Sequence, residues 1–183
     1  MKLARNLFVS LLMMAALGAC KKAEQAPAEP TKDAKAEAAA PALRGVDMAT
    51  KTITIGTLND ESGPAAVIGK PFAVGKRILA EQVNAGGSGL LPEGWKVKLV
   101  EKDHGYNPAK AKDAYNELKN DVLFIGTSFG TPNTLPLQPF LAQDKMVAFP
   151  ASLSSAMAGS EWTPPVGTPY KHEAMRAVDY MVE

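Results

Sequence analysis

The chain has 183 residues, a formal net charge of +1, and 46% hydrophobic against 21% charged residues. This balance describes one folded domain with appendages and, lacking a basic block, excludes an electrostatic nucleic-acid binder. A single cysteine, Cys20, excludes a disulfide framework or thiolate metal cluster within the chain, and His104 and His172 are the only histidines. No metal and no cofactor are expected.

The first twenty residues read as an address. Lys2 and Arg5 precede Leu7–Gly18, a short uncharged apolar run. As a helix such a run spans about 18 Å, too short for the ~30 Å hydrocarbon core, so residues 1–19 fit a secretory leader. Leu17-Gly18-Ala19-Cys20 closes it and resembles the lipobox of bacterial lipoproteins, which implies acylation of Cys20 and a membrane anchor there. Two or three acyl chains hold where one does not. Cleavage would remove two of the 20 basic residues, leaving 18 against 19 acidic and a formal charge of −1. The lipid, not the charge, would do the tethering.

Residues 20–50 are rich in Ala, Lys, Glu and Pro and carry no aromatic residue. Such a segment buries too little to offset ordering, so a flexible linker is expected. From Lys51 the pattern alternates. Thr52–Leu58 reads as a buried strand, Phe72–Asn84 as a helix ended by Ala85-Gly86-Gly87, and Trp95–Lys102 as a second strand. Asn107-Pro108 opens a second helix, Val122–Ile125 is a strand stopped by Gly126, Leu135–Gln143 is helical, and Met146–Phe149 is a fourth strand. The order predicts an α/β fold: a parallel, doubly wound sheet with helices on both faces. Ligands of such sheets sit beyond the carboxyl ends of the strands, which selects Asn59–Ile68, Gly126–Pro132 and Pro150–Ser155.

Those loops exclude some chemistry. Gly63 and Gly69 are separated by five residues and Pro71 follows Lys70, so the phosphate-loop pattern fails. There is no G-x-S-x-G elbow and no cysteine nucleophile, so an enzyme is not expected. Asp103-His104 reads as a surface or capping pair. Small hydroxylated residues and glycines in 126–133 and 150–155 suit a carboxylate instead.

The stretches ITIGTLNDESGPAAVIGKPFAVGKRILAEQVNAGG, VKLVEKDHGYNPAKAKDAYNEL and VLFIGTSFGTPNTLPLQPFLAQDKMVAFPA resemble the amino-terminal lobe of periplasmic solute-binding proteins of the branched-chain amino acid class, type I fold. The resemblance implies capture of a small solute, an amino acid or amide, between two lobes, and delivery to ABC permease subunits. It places ligand contacts at Ile68, at Thr127, Ser128, Phe129, Gly130 and Thr131, and at Ala151 and Ser152. Gly130 stands where amino-acid binders of the class usually carry serine, which opens the specificity to amides, urea or aromatic acids. Residues 51–168 would form the lobe, and 169–183 the start of a crossover helix toward a second lobe, making the chain a fragment. A ligand-sensing receptor module without transport is the alternative.

Overall fold

The computed structural model describes residues 43–86 and 89–182; the leader, Cys20 and the linker as far as residue 42 lie outside them. In chain order the elements are β1 (Val46–Asp47), β2 (Thr52–Asn59), α1 (Ala66–Asn84), β3 (Lys96–Asp103), α2 (Pro108–Leu118) and β4 (Ile125–Phe129). After β4 come α3 (Thr131–Thr134), a 3-10 turn (Leu135–Leu137), α4 (Gln138–Asp144), β5 (Ala148–Ala151), a second 3-10 turn (Ser155–Met157) and α5 (Tyr170–Val182).

β2 is the centre of the sheet. β3 pairs with its whole length in parallel, from Thr52 opposite Lys96 to Asn59 opposite Asp103. Its other edge is shared: β1 runs antiparallel against Thr52 and Ile53, and β4 runs parallel against Gly56–Leu58. β5 then pairs with β4 in parallel. The chain therefore steps from β2 to β3 on one side and back across to β4 on the other. With right-handed crossovers, these opposite steps put α1 and α2 on opposite faces. The point where the direction reverses, between the carboxyl ends of β2 and β4, is where such sheets bind ligands.

The main core lies on the α2 face. Leu58, Ile125 and Ala148 from three strands pack against Ala114, Tyr115 and Leu118 of α2, with Leu137, Leu141 and Met146 closing the side. Asn107 starts α2 at the right register, its Oδ1 accepting from the Ala109 N–H at 2.9 Å and the Lys110 N–H at 3.2 Å, with Pro108 in the first turn.

Several expectations need correction. The sheet is not wholly parallel, because β1 is antiparallel and lies inside the stretch read as linker. Residues 43–50 belong to the fold: the Gly45 carbonyl accepts from the Thr54 N–H at 2.7 Å, and Arg44 donates to the Asp144 carbonyl at 3.3 Å. Two residues are too few to show a strand period. α1 begins at Ala66, not Phe72, and runs through Pro71. Proline withholds a donor from the Val67 carbonyl, but Val67 is 82% exposed and water can serve instead. Gly126 does not stop β4, which runs on to Phe129. A glycine costs a strand only ~0.5–1 kcal/mol, less than pairing on both edges returns. The fourth strand is shifted to Ala148–Ala151 because β5 is an edge strand, where Pro150 is tolerated.

Candidate functional site

The turn after β2 is built by two carboxylates, Asp60, which is buried, and Asp103, which is exposed. Asp60 is fully buried, and its two oxygens accept from the Gly63 N–H at 2.7 Å and the Ala65 N–H at 2.9 Å. Asp103, at the end of β3, accepts from the N–H groups of Glu61 at 2.9 Å and Gly105 at 3.0 Å. Burial raises the Asp103 carboxyl, but these bonds and one from Ser62 outweigh it and hold it below its usual range. The turns after β2 and β3 are thus tied to each other. Across the sheet, the Gly130 N–H donates to the Ala151 carbonyl at 3.3 Å, and the Thr131 and Ser152 hydroxyls meet at 2.5 Å. That contact joins the ends of β4 and β5.

These turns surround a cavity of about 380 Å³ at the reversal point. Its lining includes Ile68, Phe129, Gly130, Thr131, Ala151 and Ser152, six of the residues picked out from the sequence. Thr127 and Ser128 do not line it, contrary to expectation. Both lie within β4, at 4% and 1% exposure; the Thr127 hydroxyl donates to the Gly126 carbonyl and the Ser128 hydroxyl pairs with that of Thr134. Strand alternation turns neighbouring side chains to opposite faces, so a whole loop cannot face one ligand. The rest of the wall is Ala65 and Phe72 from α1 and its approach, Tyr106 after β3, and Leu153, Val166 and Tyr170.

A family model for periplasmic binding proteins matches residues 52–183. The chain belongs to this family. Among solved structures this periplasmic binding protein is similar to a fatty acid ABC transporter substrate-binding protein from Thermomonospora curvata, at 32% identity and a TM-score of 0.68, over 75% of this chain and 34% of that one. It is similar to a possible leucine/isoleucine/valine-binding protein from Rhodopirellula baltica, at 29% identity and TM-score 0.65, over 73% and 36% of the two chains. It also resembles a Rhodopseudomonas palustris ABC transporter solute-binding protein in complex with 4-hydroxybenzoate, at 28% identity and TM-score 0.52, over 64% and 32%. The chain spans about a third of the length of these structures. No curated protein matches it.

In this binding protein the sequence reading missed Phe72, Tyr106 and Tyr170. Phe72 reads in the sequence only as the start of a helical period. The signal for Tyr106 was its place between Gly105 and the Asn107 cap, in a turn at a strand end. Beside the cavity, Arg77 bridges Glu61 at 2.8 Å and Glu101 at 2.6 Å, and Lys76 donates to Asn59 Oδ1. Burial pushes Lys76 down to about 8, against the pull of Glu101 and Glu61. Among the described residues no group of three His, Cys, Asp or Glu side chains is placed to hold a metal, and no helix is long and apolar enough to cross a membrane.

Of the surface or capping role expected for His104, the structure shows the second: the side chain is fully buried and caps the turn after β3. Its Nδ1 accepts from the Tyr106 N–H at 3.0 Å, which puts the proton of the neutral ring on Nε2. Nε2 makes no hydrogen bond of good geometry, although the Phe129 and Leu58 carbonyls lie close enough to favour its proton. Burial holds His104 below its ordinary value of 6.5, outweighing the charges of Asp60 and Asp103. The unfolded chain therefore takes a proton near pH 6.5 that the folded one refuses. Stability present above that value should fall as pH drops from 6.5 toward the folded value, by at most about 1.4 kcal/mol per pH unit. Urea midpoints at pH 7.5 and 5.5 should show this slope, and His104→Asn should flatten it.

Proposed function

We propose that this protein is the extracytoplasmic solute-binding component of an ABC importer, tethered by lipid on Cys20 and not itself an enzyme. The observation that carries the solute reading is the cavity at the reversal point, walled by apolar and hydroxyl side chains at and beyond the ends of four strands. A volume of about 380 Å³ suits a small organic solute. Thr131 and Ser152 offer hydroxyls to a carboxylate there. The solved relatives agree in kind: their names speak of fatty acid, of leucine, isoleucine and valine, and of 4-hydroxybenzoate. The ABC transporter names of two of those relatives support delivery to permease subunits, and Leu17-Gly18-Ala19-Cys20 supports the anchor.

Expressed with its own leader, the protein should partition into detergent with acyl mass on Cys20. The same preparation should bind small carboxylates no tighter than millimolar by saturation-transfer NMR. Three or four hydrogen bonds exchanged with water contribute about 1 kcal/mol each, and association costs about 4 kcal/mol or more. A soluble product with a free Cys20 thiol would remove the anchor. Absence of any solute signal would remove the binding reading.

A further inference from the structure

We propose that Tyr106 and Gly130 are the specificity-determining pair of this cavity, fitting it to a carboxylate that carries an aromatic ring and lacks an ammonium group. The proposal rests on the solute-binding reading above and names its ligand class. Gly130 has φ of +89°, and a Cβ there would stand 2.6 Å from Tyr106 Cε2, 3.1 Å from its Cζ and 3.0 Å from Asn133 Nδ2. The Tyr106 ring therefore fills the space that any side chain at position 130 would take. What would be a polar anchor on the β4 turn is an aromatic surface.

The ring is held there from behind. Tyr106 is a non-glycine residue at φ +57°, following Gly105 at the same angle. That left-handed turn is fixed by the hydrogen bond from the Tyr106 N–H to buried His104 and by the Asn107 N–H donating to the His104 carbonyl at 3.0 Å. Holding a non-glycine residue in that region costs free energy, which these bonds offset.

Tyr106 is one of several rings. Phe129 meets it edge to face at 6.4 Å and 70°, and meets Phe72 at 6.1 Å and 61°. Tyr170 stands on the same lining. Such rings present positive edges and negative faces, which pair with a ligand ring better than with an alkyl chain. None of the described residues lining the cavity carries a charge. An ammonium group entering this wall would lose hydration with no carboxylate to receive it. A carboxylate meets the Thr131 and Ser152 hydroxyls, either of which can turn its proton outward.

Saturation-transfer NMR on the full chain at pH 7.5 tests the ligand class with matched probes. Binding of 3-phenylpropanoate should be at least tenfold tighter than that of L-phenylalanine, which adds only the ammonium. It should be at least fivefold tighter than octanoate, which lacks the ring. Tyr106→Phe should keep both preferences. Tyr106→Leu should lose the second while leaving octanoate unchanged. Gly130→Ala should lose the second as well, because its methyl displaces the ring. In a Tyr106→Ala background the same Gly130→Ala change should cost no further ring preference, since the ring it displaces is gone, while the strain at φ +89° and the approach to Asn133 are read in the melting curve. Melting curves confirm that each variant is folded. L-phenylalanine or L-leucine binding as tightly as 3-phenylpropanoate would overturn the proposal and leave solute binding standing. No signal from any probe would overturn both.

Discussion

Replacing Gly69 with alanine should lower the melting temperature by about 10 °C, while the same change at Gly75, in the same helix, should raise it slightly. A Cβ on Gly69 would lie 1.7 Å from the backbone carbonyl oxygen of Asp60. That carbonyl cannot swing aside, because the Asp60 side chain is fully buried and bonded to the Gly63 and Ala65 amides. Overpacking of this kind costs about 3 kcal/mol, and each kcal/mol shifts a domain of this size by about 3–4 °C. Gly75 has nothing within 4 Å of the Cβ position. There alanine gains only the helix propensity that glycine lacks, about 0.5–1 kcal/mol. Thermal denaturation of both variants decides it; equal effects would mean that the turn after β2 can move freely. Because Ile68 precedes Gly69 on the cavity wall, Gly69→Ala should also weaken any solute signal.

The alternation of strands and helices was legible from Thr52 onward because buried strands and capped helices leave strong local patterns. Asn107-Pro108 marks the start of α2 to the residue, and the reversal rule selects the end of the sheet at which the cavity lies. What failed had short-range causes. β1 is two residues long, β4 carries a glycine that pairing overrides, and α1 tolerates Pro71 because the freed carbonyl faces water. Nothing in the sequence reports those neighbours.

At the cavity the pattern is similar. Loops rich in hydroxyl groups and glycine announced Thr131 and Ser152, but the strand period that sends Thr127 and Ser128 inward depends on where β4 ends. Tyr106 was invisible for a different reason. Its contribution comes from a left-handed turn held by a buried histidine, and a histidine beside an aspartate reads equally as a surface or a capping pair until burial is known. Gly130 was noticed as an unusual residue, yet its reason lies on another strand's turn, 24 positions earlier in the chain, where the Tyr106 ring leans over it.

Truncation before Met48 should destabilise the fold, whereas truncation before Ala42 should not. The segment ahead of Ala42 is Ala-, Lys-, Glu- and Pro-rich with little to bury, and its removal should leave the melting temperature within about 2 °C. Residues 43–47 act as a strap. Arg44 donates to the Asp144 carbonyl at 3.3 Å and the Lys145 carbonyl at 3.5 Å, at the end of α4, where carbonyls have no helical partner. The Lys145 cap itself is left-handed, at φ +50°. The Asp144 side chain is held by the Tyr115 hydroxyl at 2.9 Å and by Lys119 at 3.0 Å, so the strap closes on a network rooted in α2. The hydrogen bond from Lys119, more than any other cause, holds the Asp144 carboxyl below its usual range. Gly45 and β1 then cover the first half of the β2 edge, taking the Thr54 N–H at 2.7 Å. Starting the chain at Met48 orphans that donor and opens the edge beside Val122, which is fully buried. A buried donor without a partner costs about 1–3 kcal/mol, and the loss of cover adds to it. The loss should be about 2 kcal/mol, the scale of the orphaned donor, or roughly 6–8 °C. Arg44→Ala in the full chain should show about half of that. Equal melting temperatures for chains starting at Ala42 and Met48 would mean that β1 rests on the sheet without holding it.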